Sequence, residues 1–541
     1  MTTIRNELIF IALNRANALI DYDICNDAHK INEFQKQMLL SDNSLTNDEK
    51  IEAIRKANKM YDRNKVLLNS GKKRICENCN QKCLATSYCE CCIQNYLKSK
   101  FLNWTSGNND IDNLLQKCQI ESLTPEMIIE WIPYNNLQNI EYLTKGGFSE
   151  IYTADWINGK YVEWDSKECQ LKRFGKHQVI LKGLGSVESV NQSWFEEAKS
   201  HLTISNKWPQ IVPCFGITHN PLNGNYMLVM SKRNADLRKY LQQTQNQLTW
   251  KERIKIIYNI TVALNAIHEE KAIHRDLHSG NVLYSQTNQR WYISDLGFCG
   301  PAEKSLTSIY GNLPYIAPEV ITGKQPTKES DIYSIAILMW EISSGQPPFD
   351  ICEHDYYLAM NIINGIRPKI VSGTPLKYEN LMKQCWDADS SKRPDLSTII
   401  DEIFKLHHSY HQNTSNETSQ PKTNNNLQVK TGQSYATSKL FTSKIHQFEN
   451  LPEPKNATEE EQEAFHSKLY NFSIPDNIED LNNSNYTGTS KAISISEDDS
   501  EKLSKALKKL QINPDDDNEN DYEEEIMEQN QIKINVDDTF L

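Results

Sequence analysis

The chain has 541 residues, of which 38% are hydrophobic, and its mean hydropathy is −0.63. Its length allows about three domains, and so polar a composition predicts that part of it stays unfolded. The formal net charge of −13 argues against a nucleic-acid-binding surface, and the lack of an apolar run of about 18 residues excludes a membrane-spanning helix.

The N-terminal region, residues 1–70, predicts a small helical module. Apolar residues such as Ile51 and Ile54 recur there at helical spacing. The short apolar stretch 8–13 is bounded by charged residues and is typical of one helix face rather than of a signal peptide. We expect two or three helices here and, without a secretion signal, a cytoplasmic protein.

Six of the thirteen cysteines lie within residues 71–100. Two Cys-x-x-Cys pairs are separated by a short loop, and such turns place two thiolates on one side, so that two of them can build a tetrahedral zinc site. Cys83 and Cys91 are spare and could compete for a ligand position. Free thiols or a redox pair are the alternative interpretations. The candidate zinc ligands of this zinc-knuckle-like module are Cys76, Cys79, Cys89 and Cys92.

The middle of the chain contains patterns of both strands and helices. Residues 101–136 predict a linker with some helix, and residues 137–406 are strand-rich first and helix-rich afterwards. Thr249 and Glu252 form a capping box, which predicts the start of a helix. Residues 332–342 are hydrophobic almost all round and predict a helix buried in the middle of a lobe.

Residues 407–541 predict a largely disordered, acidic tail. This part is rich in Asn, Ser, Thr and Gln and has few apolar clusters, so it cannot offset the entropy lost on ordering. Its acidic residues concentrate at 513–528. Two short stretches, 458–470 and 499–510, have a helical pattern, and we expect those helices to form transiently.

The most specific motif begins at His274 and ends at Asn281. It places Asp276 five positions before Asn281, and Asp295 follows fourteen residues later, ahead of a Leu-Gly pair. Phosphoryl transfer from ATP needs such groups: one carboxylate accepts the proton of the attacking hydroxyl, and an amide oxygen and a second carboxylate hold magnesium. A charged loop that only caps turns is the alternative for this motif taken alone.

Other motifs flank this loop in a fixed order. Upstream, two glycines lie in a hairpin pattern, a strand ends in Lys182, a helix contains Glu196 and Glu197, and residues 228–231 form an apolar strand pattern. Downstream come Ala317, Pro318, Glu319, Asp331, Cys385, Trp386, Lys392, Arg393 and Pro394.

On these motifs, residues 137–406 resemble a eukaryotic protein kinase catalytic domain, and the Cys-Trp and Lys-Arg-Pro motifs near its end resemble the tyrosine-kinase-like Ser/Thr kinases. The resemblance implies an α+β, two-lobed fold with a β-rich N-lobe and an α-helical C-lobe. It also implies ATP and magnesium as cofactors. The helical and Cys-rich modules would precede this domain, and the disordered tail would follow it.

The resemblance assigns roles to the catalytic residues. Asp276 would accept the proton of the attacking hydroxyl, and Asn281 and Asp295 would bind magnesium. Lys182 would bind the α- and β-phosphates and be held by Glu197, with the glutamate one position earlier as the alternative.

The resemblance also predicts the ATP pocket. Thr144 and Ser149 stand where two of the family's three glycines are expected, and Ile180 replaces the usual alanine above the adenine. Met230 would be the gatekeeper, with Val229 as the alternative if the register slips by one. The predicted ATP-contacting residues are Leu143, Thr144, Gly146, Gly147, Phe148, Ile151, Ile180, Lys182, Met230 and Leu283.

The remaining family residues are expected to act on the scaffold or on regulation. Glu319 would pair with Arg393, and Asp331 would hold the backbone of the catalytic loop. Arg275 suggests that phosphorylation of the activation segment matters, because this arginine commonly pairs with the new phosphate. Residues 155–178 are longer than the usual loop and predict no function. The candidate acceptors are Ser305, Thr307, Ser308 and Tyr310.

The sequence indicates less strongly whether a Ser/Thr or a tyrosine hydroxyl accepts the phosphoryl group. His278 stands where Ser/Thr kinases usually have lysine, and Gly280 stands at one of the positions where tyrosine kinases have arginine. Gly311 and Tyr315 match the Gly-Thr-x-x-Tyr pattern of the Ser/Thr kinases, although Asn312 replaces the threonine. The pattern favours Ser/Thr specificity, and tyrosine or dual specificity stays open.

We therefore expect an ATP- and magnesium-dependent kinase of protein Ser/Thr hydroxyls, with signalling partners reached through the N-terminal module or the tail. The alternative is a pseudokinase scaffold, which the altered glycine loop, Ile180 and Asn312 favour. Against it, the predicted lysine, glutamate, asparagine and both aspartates of the site are all present.

Overall fold

The computed structural model describes ten stretches of the chain. It divides the protein into two units, residues 1–469 and 470–541, and the second lies wholly outside the described residues, as does the helix predicted at 499–510. The described stretches are 4–21, 24–25, 27–145, 149–184, 193–205, 207–244, 247–300, 309–350, 352–412 and 443–467.

Three helices form the N-terminal module: α1 (Asn6–Ala18), α2 (Ala28–Ser41) and α3 (Asn47–Leu67). Their apolar faces meet in a small core that includes Ile9 and Leu39. The helical spacing of the apolar residues predicts two or three helices, and the described residues of this region form three.

The Cys-rich module is a short hairpin followed by a helix. Strands β1 (Arg74–Ile75) and β2 (Lys82–Cys83) pair antiparallel, and α4 (Glu90–Lys100) follows. Residues 101–136, which the sequence suggests are a linker, contain α5 (Asn109–Ile120) and β3 (Glu130–Trp131). Strand β3 pairs in parallel with a strand of the main sheet, so this stretch is part of the N-lobe.

The N-lobe is built on a six-stranded sheet. Besides β3, its strands are β4 (Leu137–Lys145), β5 (Glu150–Trp156), β8 (His177–Gly183), β9 (Cys214–His219) and β10 (Tyr226–Ser231), in the order β3-β9-β10-β8-β5-β4. Alternate residues of its strands enter two cores, one on each face, and α6 (Ser193–Ser205) packs on one of them. Two further strands of the lobe, β6 (Tyr161–Asp165) and β7 (Gln170–Arg173), lie outside this sheet.

Strands β6 and β7 form a separate hairpin between β5 and β8, within the long stretch 155–178. Trp164 and Leu171 of this hairpin are buried in one cluster with Tyr88, Ile93 and Leu97. The insertion therefore attaches the Cys-rich module to the N-lobe, a structural role that the sequence did not indicate.

The C-lobe is mainly helical, which confirms the predicted two-lobed α+β fold. Helix α8 (Trp250–Glu269) starts at the predicted capping box, and α10 (Lys328–Ser344) is buried on nearly all sides, as its hydrophobic pattern indicates. Among the described helices, none is long and apolar enough to cross a membrane. The elements are β11 (Ala235–Asp236), α7 (Leu237–Thr244), α8 (Trp250–Glu269), β12 (Val282–Ser285), β13 (Arg290–Ile293), β14 (Ile309–Gly311), α9 (Pro318–Ile321), α10 (Lys328–Ser344), α11 (Tyr356–Ile363), α12 (Leu376–Cys385) and α13 (Leu396–Gln412).

Part of the stretch expected to be disordered is packed against the C-lobe. Residues 443–467 contain β15 (Lys444–His446) and α14 (Glu459–Ser467), and β15 pairs antiparallel with β14. Its few apolar side chains, among them Phe448 and Phe465, lie against the large core of the C-lobe. A core provided by the domain thus orders a segment that could not form one by itself.

A buried ion pair fixes the end of the activation segment in the C-lobe. Two nitrogens of Arg393 each lie 2.7 Å from an oxygen of Glu319, in the predicted pairing. Arg393 also donates to the carbonyl oxygen of Glu329, at the first turn of α10.

Glu319→Ala should destabilise the domain by about 3–5 kcal/mol, because it leaves the buried Arg393 without its counter-charge. The free energy of unfolding in urea, followed by tryptophan fluorescence, measures this loss. Lys405→Ala is the matched control, since it removes an exposed ion pair with Glu402 and should cost less than about 1 kcal/mol. Equal unfolding curves for the two variants would contradict the assignment.

Candidate active site

Lys182, near the end of β8, joins three elements of the fold. Its Nζ lies 2.7 Å from Oε1 of Glu197 on α6 and 2.6 Å from Oδ1 of Asp295. Glu196, the alternative partner, forms an ion pair with Lys199 at the surface instead. The predicted lysine, glutamate and second aspartate therefore meet at one point, with Glu197 as the glutamate.

Lys182 and the carboxyl groups around it interact electrostatically. Burial opposes the charged form of Lys182, but the carboxylates of Asp295 and Glu197 outweigh it and raise the pKa of the lysine. Burial likewise opposes the charge of Asp295, and the Lys182 ammonium keeps the pKa of that carboxyl below its usual range. The Lys182 ammonium thus lies between the carboxyl groups of Asp295 and Glu197.

Asp331, at the start of α10, binds the backbone of the catalytic loop. Its carboxylate accepts hydrogen bonds from the backbone N–H groups of His274, at 2.8 Å, and Arg275, at 3.0 Å. Arg275 has a φ of +69°, a left-handed conformation that is costly for a side chain of this size. These bonds offset that cost and fix the loop before Asp276.

Asp276 and Asn281 are linked within the loop. Nδ2 of Asn281 donates to the carbonyl oxygen of Asp276 at 2.9 Å, which leaves Oδ1 of the amide as the atom that a cation could bind. Asp295 supplies a carboxylate from the following segment, and its side chain is 39% exposed. Oxygen atoms of this kind are the ligands that Mg²⁺ prefers, so the two residues fit the ion.

His201 is a site residue that the sequence analysis missed. Its Nε2 accepts a hydrogen bond from the backbone N–H of Leu296, at 3.2 Å, next to Asp295. Burial lowers the pKa of His201 to about 3, so the ring is neutral and can accept this bond. Its position four residues after Glu197, on the same face of α6, was the available signal.

The predicted adenine pocket lies between β8, β10 and β12. Ile180 pairs with Met230 across neighbouring strands, and both contact the same core cluster as Leu283. Val229 belongs to the cluster on the opposite face of the sheet, so Met230 is the one of the two that shares a face with Ile180.

The outer part of the predicted ATP pocket is only partly described. Ile151 pairs with Thr144 on one side and with Lys182 on the other, and Leu143 is exposed. The predicted contacts Gly146, Gly147 and Phe148 lie outside the described residues.

The activation segment is described on either side of residues 301–308, which contain three of the four predicted acceptors: Ser305, Thr307 and Ser308. The fourth, Tyr310, lies on β14, and its ring stacks on that of Phe298. Gly311 follows with a φ of +141°, and a Cβ there would lie 3.3 Å from Oδ1 of Asp276. At Gly311, which has no side chain, the backbone thus passes close to the Asp276 carboxylate.

A second residue missed by the sequence analysis touches Asp276. Oγ of Ser443, just before β15, donates to Oδ1 of Asp276 at 2.8 Å and lies 3.1 Å from Nε2 of His278. No pattern around Ser443 in the sequence indicates this contact.

The four predicted zinc ligands lie together. The Sγ atoms of Cys76, Cys79, Cys89 and Cys92 are all within 4.8 Å of one another. Cys76 and Cys92 are 3.7 Å apart, and Cys79 and Cys89 are 3.6 Å apart. Four sulfurs at about 2.3 Å from a tetrahedral zinc ion lie about 3.8 Å from one another, so the cluster fits the ion.

The two spare cysteines have other contacts. Sγ of Cys83 donates to the carbonyl oxygen of Arg74, and Sγ of Cys91 accepts from Asn95, each at 3.7 Å. The backbone N–H groups of Cys79 and Asn78 lower the pKa of the Cys76 thiol to about 6. A lowered pKa favours the thiolate, which is the form of cysteine that binds a metal ion.

Comparison with known proteins agrees with this geometry. Residues 137–403 match the family model described as protein tyrosine and serine/threonine kinase. A protein of Acanthamoeba polyphaga mimivirus, named as a candidate serine/threonine-protein kinase/receptor, is 34% identical over 170 residues, which cover 31% of this chain and 10% of that protein.

Two further relatives come from other lineages. The candidate serine/threonine-protein kinase roco5 of Dictyostelium discoideum is 28% identical over 310 residues, which cover 54% of this chain and 10% of the relative. The dual serine/threonine and tyrosine protein kinase of Gallus gallus is 33% identical over 177 residues, which cover 32% of this chain and 18% of the relative. The chain therefore spans less than a fifth of each of these relatives and contains a domain of the protein tyrosine and serine/threonine kinase family at residues 137–403.

Proposed function

We propose that this chain is an ATP- and magnesium-dependent protein kinase that transfers the γ-phosphoryl group to serine or threonine hydroxyls. The observation that carries the proposal is the buried Lys182 ammonium between Glu197 and Asp295. A lysine held in this way is placed to bind phosphate oxygens, and Asp276 lies on the adjoining loop.

In this proposal each polar or charged residue of the site has a separate role. Asp276 orients the acceptor hydroxyl and takes its proton as the oxygen attacks phosphorus. Lys182 binds the phosphates that become ADP. Magnesium, when bound by Asn281 and Asp295, supplies positive charge that offsets the charge developing on the phosphate oxygens.

Ser/Thr specificity is favoured by features around the acceptor side. Gly311 and Tyr315 keep the spacing of the Ser/Thr pattern, and both lie close to the catalytic loop: Gly311 approaches Asp276, and the hydroxyl of Tyr315 is 3.2 Å from that of Ser279. Two of the relatives described above are named as serine/threonine kinases, and the third as a dual-specificity kinase. Phosphoryl transfer to tyrosine is the second candidate activity and would yield phosphotyrosine in the product.

The rival function is a pseudokinase scaffold. Ile180 pairs with Met230, and its side chain is larger than the alanine usually found above the adenine, which favours the scaffold. The formed ion pair of Lys182 with Glu197 favours catalysis, because a scaffold has no need to keep a buried cation between two carboxylates.

Further assignments follow from the same features. We place the chain in the tyrosine-kinase-like group, on the motif Cys385-Trp386 ahead of Arg393, and in the cytoplasm, where a thiol cluster stays reduced. Protein partners would be reached through the N-terminal module or the tail.

Asp276→Asn should lower the rate of phosphoryl transfer about 10²–10⁴-fold, since an amide cannot accept the proton. Transfer from [γ-³²P]ATP to dephosphorylated casein measures the rate, and ATP binding by calorimetry should be retained. Asp389→Asn, an exposed aspartate far along the C-lobe, is the control and should be as active as the parent protein. Equal transfer by the Asp276 variant would refute its role.

Phosphoamino-acid analysis of the labelled casein should give phosphoserine or phosphothreonine. Phosphotyrosine as the main product would reject the Ser/Thr assignment. If ATP binds but no acceptor is labelled under any activating condition, the scaffold is the better description.

We also propose that Cys76, Cys79, Cys89 and Cys92 hold a structural zinc ion. Their sulfur spacing supports a tetrahedral site rather than free thiols, and the described cysteines lie too far apart for disulfides of about 2.05 Å. The ion would tie the β1–β2 hairpin to the first turn of α4 and so support the contact with the inserted hairpin.

Purified protein should contain about one zinc ion per chain by atomic emission, and the double variant Cys76→Ser with Cys79→Ser should lose it. Cys91→Ser is the matched control and should keep the metal, because its sulfur accepts a hydrogen bond from Asn95 and is not one of the four sulfurs that lie within 4.8 Å of one another. Loss of zinc from the Cys91 variant alone, or a metal-free parent protein, would overturn this ligand set.

A further inference from the structure

Residues 443–467, here called the docking segment, cover the acceptor side of the active site. Strand β15 adds to β14 of the activation segment in antiparallel register, with Ile309 opposite His446 and Gly311 opposite Lys444. The side chain of His446 is buried, and its Nε2 is 3.0 Å from the carbonyl oxygen of Gly311. A strand added to an exposed strand in this way is a common mode of peptide recognition.

The register of this strand places a hydroxyl at the catalytic carboxylate. Oγ of Ser443 donates to Oδ1 of Asp276, at 2.8 Å. Nδ1 of His278 accepts from the N–H of Gly280, so the ring proton lies on Nε2, which donates to Oγ of Ser443 at 3.1 Å. These contacts hold the hydroxyl oxygen of Ser443 beside the Asp276 carboxylate.

The rest of the docking segment is fastened to the C-lobe. Gln462 donates to the carbonyl oxygen of Gly365 at 2.7 Å and accepts from the N–H of Arg367 at 3.2 Å. The N–H of Lys455 donates to the carbonyl oxygen of Ile363 at 3.0 Å. The two backbones approach so closely here that a Cβ on Gly365 would lie 2.1 Å from the nitrogen of Ala457.

Apolar contacts complete the attachment. Phe448 and Phe465 pack against the core of the C-lobe, together with Leu451 and Ala457. Polar and apolar contacts spread over the whole segment therefore fix the position of Ser443, rather than one hydrogen bond.

We propose that Ser443 is a phosphoacceptor of this kinase, modified within the same chain while the docking segment is bound. The proposal rests on the kinase activity proposed above. Oγ of Ser443 attacks the γ-phosphorus of MgATP, the bond from that phosphorus to the β,γ-bridging oxygen breaks, and ADP leaves. The hydroxyl proton passes to Asp276 and then to solvent.

The chain can reach this arrangement by itself. Helix α13 ends at Gln412, and a chain of the length of residues 413–442 has a maximum reach of roughly 100 Å. The segment occupies the place where a protein substrate would present its hydroxyl, so the unmodified chain excludes other substrates.

Modification would release the segment. A phosphoserine has a charge of about −1.5 to −2, and at Ser443 it would lie beside the Asp276 carboxylate. Repulsion between these groups favours dissociation of β15 from β14, which opens the acceptor side to other proteins.

The first test uses the full chain, dephosphorylated and then incubated with Mg-[γ-³²P]ATP. Peptide mapping by mass spectrometry should find phosphate on Ser443, and the fraction modified per minute should not change over a hundredfold range of protein concentration. Ser467→Ala, a substitution at an exposed serine of the same segment, is the control and should label as the parent chain does. A rate proportional to concentration would overturn modification within one chain.

The second test loosens the segment. Phe448→Ala with Phe465→Ala should slow labelling of Ser443 about tenfold or more, since about 1.4 kcal/mol of lost docking free energy is a factor of ten, and should speed transfer to casein. Gln462→Ala, which leaves the core intact, should act in the same direction.

The outcomes separate the two proposals. Labelled casein with unmodified Ser443 in the parent chain overturns the inference about Ser443 and leaves the kinase activity standing. No transfer to casein or to Ser443 by any of these variants overturns the kinase activity itself. Slower transfer to casein by both loosened variants would show that the docking segment does not block substrates.

Discussion

One buried ammonium organises the active site. Lys182 lies on the central sheet, Glu197 on the helix packed against it, and Asp295 on the segment that follows β13 in the C-lobe. The two carboxylates would repel each other at this distance without the cation between them. The position of α6, and with it the connection between the lobes, therefore depends on a charge that must also remain accessible to phosphate.

The C-lobe uses buried polar groups in the same way. Asp331 holds two backbone N–H groups of the catalytic loop, and Arg393 holds Glu319 at the end of the activation segment. Burying such groups is costly unless every partner is present, so these contacts specify one arrangement rather than simply adding stability. Both act through α10, a helix that is buried on nearly all sides.

Two additions surround this frame, and each contacts a different lobe. The Cys-rich module packs on the inserted β6–β7 hairpin of the N-lobe, away from the catalytic loop. The docking segment packs on the C-lobe. Its paired strand begins next to Ser443, which contacts the Asp276 carboxylate. The first addition is therefore suited to structure or partner binding, and the second to control of access.

The sequence by itself determined the features that arise from local spacing. The loop from His274 to Asn281, the capping box at Thr249 and the Cys-x-x-Cys pairs are each contained in a few residues, so their geometry follows from the chain direction and helical or turn periodicity. Only the tertiary structure decided that Ser443 meets Asp276, 167 residues earlier in the chain, and that the insertion meets the Cys-rich module. These contacts depend on surfaces that exist only after the domain has folded, because a polar segment with a few apolar anchors gains its order from a core made by other residues.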